Sequence, residues 1–311
     1  MGGTYNEIMI EGPFSFEKTF RRHHRTTDTL KPMVIDQDEN RFIKWIHLGD
    51  KPYLLDATVE HHENGVSIVT DTKKEDKKEV QTIKEYLSRM FGEGNSLVDF
   101  YDAFRGNEKI EMLISDFQGM RVLSNPDLFE VMVDTIIGQQ INLTFAATLK
   151  ERFIRFAGDI KPLNGVDLYL FPRPEAVAEL EYEQLRELSF SQRKSEYIID
   201  FARNVVNGKI DTEQLWTRSN EEIIKELIPF RGIGRWTIEC LMLFGLNRPD
   251  VLPAADIGLR NAVRSIYKLD LQPQTEEIRM LAEKENWTPW ESYITFYMWQ
   301  YLNTASKQKK S

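Results

Sequence analysis

The sequence predicts an α+β protein in which an N-terminal antiparallel β-sheet unit precedes a mostly α-helical core. Three observations predict it. Short apolar or alternating runs crowd residues 41–70, apolar residues recur every three or four positions from about residue 73 onward, and turn-forming residues punctuate the segments between them. The division expected from these patterns places an N-terminal α+β unit over 1–110 and a helical unit over 111–305.

Within 41–70, Phe42, Ile43, Trp45, Ile46 and Leu48 form one run, Tyr53 to Val59 a second, and Val66 to Val69 a third. Gly49-Asp50-Lys51-Pro52 and Glu63-Asn64-Gly65 are turn signals, so the three runs read as neighbouring antiparallel strands. Beyond Lys73, Lys74, Glu75 and Lys78, the residues Val80, Ile83, Leu87 and Met90 fall on one helical face. Further helices are predicted over 127–156, introduced by Asn125-Pro126, and over 182–207, ended by Gly208. Others follow over 220–228, 235–246, 256–267, 275–285 and 289–303. The chain has no internal repeat and no long low-complexity tract.

A chain of 311 residues with 41% hydrophobic and 29% charged residues can bury a sizeable core and has no disordered character. Its single cysteine, Cys240, excludes an internal disulfide framework, an iron–sulfur cluster and a cysteine-rich zinc site. His61-His62 has no spaced partner ligands, so no catalytic metal is expected. The start of the chain lacks the charged and apolar regions of a secretory signal, and no apolar run is long enough to span a bilayer. A cytoplasmic location without membrane contact is the expectation.

The net charge of −9 weighs against a nucleic-acid binder that relies on surface cations. Backbone amides at a helix N-terminus can still grip one phosphate strand, so any electrostatic footprint is expected to be weak and local. Arg21-Arg22-His23-His24-Arg25 resembles a phosphate-binding cluster, but such a run is ordinarily exposed surface, and Lys307-Gln308-Lys309-Lys310 reads as a solvated tail.

The most informative segment runs from Leu227 through Arg231-Gly232-Ile233-Gly234-Arg235-Trp236-Thr237 and lies between two predicted helices, within about 220–246. Glycines on both sides of Ile233 permit a positive φ and close backbone approach, so amides opening the next helix can point at an anion. About 20 residues past Trp236, Pro253-Ala254-Ala255-Asp256-Ile257 places a carboxylate at the start of a helix. By itself Asp256 reads as an N-cap, which stabilises by about 1 kcal/mol.

Together, helix, L-x-x-F-x-G-I-G-R-W-T, helix and then L-P-A-x-D resemble the helix-hairpin-helix DNA glycosylases. Within that superfamily the chain is most similar to the bacterial 3-methyladenine DNA glycosylase II group. Ile136-Ile137-Gly138-Gln139-Gln140-Ile141-Asn142 and Trp287-Thr288-Pro289-Trp290-Glu291-Ser292-Tyr293 are similar to two further family segments. The resemblance implies that the helical unit is a glycosylase domain and that the N-terminal sheet is like half of the TATA-binding protein.

The implied activity is base-excision repair on double-stranded DNA carrying alkylated purines of the 3-methyladenine and 7-methylguanine type, with the product an abasic site. A base within a duplex must be extruded before its glycosidic bond can be cut, and something must fill the gap. Gln140 is the expected wedge, with Gln139 or Ile141 sharing the task. Bond cleavage leaves positive charge on the sugar, which a carboxylate near C1′ stabilises while it orients or deprotonates water. Asp256 is the expected catalytic residue.

Bifunctional members of the superfamily carry a lysine where Trp236 stands, so the resemblance implies a monofunctional enzyme. Indole faces attract cations by about 0.5 to 2 kcal/mol, which makes Trp236 and Trp290 the expected base pocket for cationic lesions. Cys240 and Ile257 take the places of pocket tyrosines in enterobacterial members, so the pocket can favour other alkylated bases or accept hypoxanthine. Arg231, Gly232, Ile233, Gly234, Arg235 and Thr237 form the expected phosphate-binding hairpin. No cofactor is expected; the family implies a monovalent cation at the hairpin carbonyls, and the chain is expected to act as a monomer. Two other readings stand beside this one, an 8-oxoguanine glycosylase/lyase and a noncatalytic damaged-DNA-binding protein.

Overall fold

The computed structural model describes residues 5–23, 29–72 and 75–308. Among them, eight strands run as β1 (Tyr5–Glu11), β2 (Leu30–Lys31), β3 (Val34–Asp36), β4 (Arg41–Leu48), β5 (Lys51–His62), β6 (Gly65–Asp71), β7 (Asp159–Leu163) and β8 (Val166–Leu170). An antiparallel five-stranded sheet has the order β1-β6-β5-β4-β3. The three strands expected over 41–70 are its centre, because their alternation turns one side inward: Phe42, Lys44, Ile46 and Leu48 are buried along β4 while their neighbours are less so. The edge strands β1 and β3 lie outside the runs read from sequence.

A second sheet, of order β2-β8-β7, was not expected. Its β7–β8 hairpin turns through Asn164 at φ 50° and Gly165 at φ 80°, and Asn-Gly suits a two-residue turn with both residues at positive φ. That dipeptide is the local sequence signal for the hairpin.

Fourteen α-helices are described: α1 (Phe16–Phe20), α2 (Lys77–Phe91), α3 (Leu97–Ala103), α4 (Glu108–Asp116), α5 (Leu128–Gly138), α6 (Leu143–Ala157), α7 (Pro174–Ala178), α8 (Tyr182–Glu187), α9 (Gln192–Val206), α10 (Asn220–Leu227), α11 (Arg235–Phe244), α12 (Ile257–Ile266), α13 (Thr275–Lys284) and α14 (Glu291–Gln308). A short 3-10 turn, Gln214–Thr217, precedes α10. Of the expected charged lead-in to α2, Lys73 and Lys74 lie outside the described residues.

Two predicted helices are each split. The helix expected over 127–156 breaks between α5 and α6, because the Asn142 side chain accepts the Phe145 N–H at 2.9 Å and caps a new helix, with Gln140 at φ 56°. The helix expected over 182–207 breaks between α8 and α9, where Ser189 has φ 75° and Ser191 caps α9. A cap contributes about 1 kcal/mol, and burial of a large apolar side chain roughly 1.5 to 3 kcal/mol, so caps choose the break points while packing holds the helices.

Three apolar clusters do that packing. Phe20, Phe42 and Phe91 centre one between the five-stranded sheet, α1 and α2. A second joins α5, α6, α9, α10 and α11. In the third, Leu97, Phe100 and Phe104 pack with the C-terminal helices α12, α13 and α14 around Trp287 and Tyr297. An open cleft of about 1920 Å³ runs between these bodies.

Candidate active site

The predicted hairpin is formed by α10, the turn 228–234 and α11. Gly232 sits at φ 87°, and a Cβ there would stand 2.2 Å from Cγ of Tyr197, so the position demands glycine twice over. Ile233 is buried beneath the turn. Gly234 is the N-cap of α11 and offers no side-chain cap, which leaves the first-turn amides facing outward. The two hairpin guanidiniums already have carboxylate partners, Arg231 with Glu196 at 2.7 Å and Arg235 with Glu239 at 2.9 Å. An anion at this turn would therefore meet backbone amides more than free cations.

The family implies a monovalent cation at the hairpin carbonyls, and the donors present suit one. The carbonyls of Leu227 and Phe230 accept turn N–H groups, and that of Gly232 accepts the Gln139 amide. The carbonyls of Ile228, Pro229, Arg231 and Ile233 enter none of the turn's backbone bonds, and it is among these that a cation would be held.

Asp256 caps α12 and also faces the cleft. Its Oδ1 accepts the Leu259 N–H at 2.8 Å and the Trp299 indole N–H at 3.0 Å, while Oδ2 accepts the Trp236 indole N–H at 3.1 Å. The expected cap is thus present, and the same side chain lines the cleft. Gly258 keeps the place open, since a Cβ there would meet Asp256 Oδ1 at 2.9 Å and Trp299 Nε1 at 3.0 Å.

The pocket beside this carboxylate is built on α11. Trp236, Cys240 and Phe244 recur four residues apart, so they share the face of α11 that lines the cleft. Burial pushes the Cys240 thiol well up, reinforced by Asp256 and Glu239, so it behaves as a small neutral group. Ile257, 63% exposed, stands at the rim next to Asp256.

Trp290 is not in this pocket. It packs against Phe100 and Tyr293 in the C-terminal cluster, with ring centroids 5.7 and 5.6 Å away. Trp299 occupies the wall expected for Trp290, and its ring stacks on Phe244 at 5.5 Å. Trp290 precedes α14 whereas Trp299 lies on it, and the two rings meet different partners.

The segment expected to carry the wedge divides between two environments. Gln140 is exposed at the cleft in a left-handed conformation. Gln139, expected to share the wedge task, instead donates from Nε2 to the Gly232 carbonyl at 2.9 Å and to Thr237 Oγ1 at 3.0 Å. Thr237 is likewise inside the turn, 2% exposed, and holds Gln139 rather than presenting a hydroxyl to phosphate. From α9, the buried Lys194 donates to the Ile137 carbonyl at the end of α5.

Between the two helices that flank this segment, Lys150 of α6 bridges Glu130 and Asp134 of α5, and Tyr169 donates to Glu130 at 2.8 Å. Burial opposes ionisation of Glu130, yet the charges of Lys150 and Lys44 outweigh it and hold the carboxyl at about 2. This ion cluster, which no sequence spacing suggested, clamps α5 to α6 across the exposed loop. Of the N-terminal basic run, Arg22 and His23 line the cleft, whereas His24 and Arg25 lie outside the described residues, as do Lys309 and Lys310 of the tail.

A glycine-turned helical hairpin beside a carboxylate held by two indoles, in a cleft with a protruding glutamine, defines a helix-hairpin-helix base-excision protein. The chain belongs to the HhH-GPD superfamily of base excision DNA repair proteins, whose family model matches residues 133–289. It is 32% identical over 296 residues to the DNA-3-methyladenine glycosylase of Bacillus subtilis (strain 168), covering 95% of this chain and 97% of that protein. Its fold is similar to the solved 3-methyladenine DNA glycosylase of Archaeoglobus fulgidus, with a TM-score of 0.79 and 27% identity over 95% of this chain and 98% of the other. Schizosaccharomyces pombe 3-methyladenine DNA glycosylase, solved in complex with abasic DNA, matches with a TM-score of 0.54 and 28% identity over 64% of this chain and 94% of its own.

Proposed function

We propose that this chain is a monofunctional DNA glycosylase that hydrolyses the N-glycosidic bond of alkylated purines in double-stranded DNA, with Asp256 as its catalytic carboxylate. The observation that carries the reading is the grip of Trp236 and Trp299 on both oxygens of Asp256, at a cleft shared with the hairpin. The α11 amides and hairpin backbone hold a phosphate, to which a monovalent cation at the turn would add positive charge. Gln140 enters the stack as the lesion leaves it.

The extruded base lies against Trp236 and Trp299, which brings C1′ to the carboxylate. As the bond from C1′ to the base nitrogen breaks, the base takes the electron pair and Asp256 stabilises the positive charge on the sugar. Water adds to C1′ and loses a proton, leaving an abasic site. Trp236 fills the place where a lyase of this superfamily carries its lysine, and its N–H is engaged with Asp256. Lys44 and Lys150, the cleft lysines, are engaged with Tyr86 and with Glu130 and Asp134. These features favour hydrolysis over the 8-oxoguanine glycosylase/lyase reading, and a formed carboxylate site favours catalysis over passive damage binding.

A monomeric, cytoplasmic enzyme completes the reading, and light scattering of the free and DNA-bound protein tests the monomer. The decisive experiment is mass analysis of bases released from duplexes with defined lesions, for wild type beside Asp256→Asn. Wild type is expected to release alkylated purines, and the variant to bind the same DNA without release. Comparable release by both rejects the assignment of Asp256.

A further inference from the structure

Along the cleft, cations are drawn into ion pairs while aliphatic side chains stand in the open. Arg231 is held by Glu196, and Lys150 by Glu130 and Asp134. Leu143, Ile257 and Ile228 line the same cleft and are 72%, 63% and 44% exposed. Leu143, the most exposed of the three, opens α6 directly after its Asn142 cap. Leu149, Phe153 and Ile154 anchor that helix from buried positions, which leaves Leu143 no part in the core. Two residues, Ile141 and Asn142, separate it from Gln140.

We propose that Leu143 is a second, apolar wedge, which inserts between stacked bases of the duplex beside the gap that Gln140 fills; this rests on the glycosylase reading above. Three residues of extended chain reach at most about 11 Å and stacked bases lie about 3.4 Å apart, so Leu143 meets the duplex within about three steps of the extruded base. Extrusion already breaks the stack at that base, so a neighbouring step opens at lower cost than one in intact duplex. A leucine that leaves water for the space between two bases gains the transfer of its apolar surface, a gain that involves no counterion release. The two side chains divide the work by chemistry. The Gln140 amide can hydrogen-bond an orphaned base edge, whereas an aliphatic group suits the faces of the stack. For a chain of net charge −9, a contact of this kind adds affinity without adding cations.

The test is binding of a duplex carrying one tetrahydrofuran abasic analogue, over a range of salt, for wild type, Leu143→Ala and Leu143→Met. A 2-aminopurine, whose emission rises on unstacking, is placed at each neighbouring step in turn. Leu143→Ala is expected to weaken binding by about tenfold at every salt concentration, with the slope of log K against log salt unchanged because no phosphate contact is lost. Its rise in 2-aminopurine emission is expected to be smaller than that of wild type and its thermal midpoint equal, while Leu143→Met stays within about twofold of wild type in affinity. Unchanged affinity, unchanged emission, or a loss that comes with a shallower salt slope overturns the wedge; with wild type still releasing alkylated purines from lesion duplexes, the glycosylase reading stands. Release of no alkylated purine by wild type overturns that reading itself.

Discussion

The indole N–H of Trp299 stands 3.0 Å from Oδ1 of Asp256, across 43 residues of chain, and Trp236 approaches Oδ2 at 3.1 Å. The carboxylate cannot rotate without losing both donors. Its orientation toward the cleft is therefore set by two rings that also wall the pocket, which couples the seating of a base to the aim of the charge.

Trp299→Phe removes one donor and keeps an aromatic wall. The single-turnover rate is expected to fall about tenfold while DNA affinity and thermal midpoint stay near wild type, because one oriented donor is lost and little packing. A rate equal to wild type would show that Trp299 does not position Asp256.

Gln139 and Gln140 are neighbours with separable roles. Gln139→Ala loses two hydrogen bonds to the hairpin and is expected to lower stability by about 1 kcal/mol and excision with it. Gln140→Gly relieves a left-handed backbone and is expected to leave stability equal or raised by about 1 kcal/mol, while lesion excision falls at least about tenfold. Urea unfolding beside excision kinetics separates the two, and a destabilised Gln140→Gly would contradict the assignment.

Gly232→Ala drives a methyl into the Tyr197 ring at a backbone angle that side chains disfavour. A loss of about 2 kcal/mol or more is expected, together with weaker DNA binding. Pairing it with Tyr197→Ala is expected to recover part of the loss in a double-mutant cycle, and strict additivity would argue against the contact.

Glu130 supplies the pH prediction. Its folded pKa, about 2, lies below its ordinary value of 4.5, so between these values the unfolded chain binds more protons. The stabilisation is therefore fully present above about pH 5 and is lost as pH falls toward 2. Glu130→Gln, which leaves Lys150 only the Asp134 carboxylate and Tyr169 an amide oxygen, is expected to cost about 3 kcal/mol at neutral pH. The difference from wild type in urea midpoint is expected to shrink with acid; a difference that holds constant from pH 5 to 2.5 would place the stabilisation elsewhere.

Much of this was legible in the residue order. The three central strands follow from alternation, the hairpin from two glycines around Ile233, and Asp256 from its place after a proline-bearing loop. The second sheet escaped notice because its strands are five residues or fewer, too short to display a period. The breaks after Gly138 and Glu187 escaped because apolar spacing continues across them, and only the caps at Asn142 and Ser191 mark the restart.

By itself the sequence determined what depends on near neighbours: helix faces, turns, caps, and a hairpin followed by a carboxylate. Tertiary structure alone decided that Trp299 rather than Trp290 walls the pocket, that Gln139 braces while Gln140 protrudes, and that Leu143 is left exposed at the cleft. Each of those outcomes turns on the rotational phase at which one element meets another distant in sequence. Periodicity states which face a residue shares, but packing selects what that face meets.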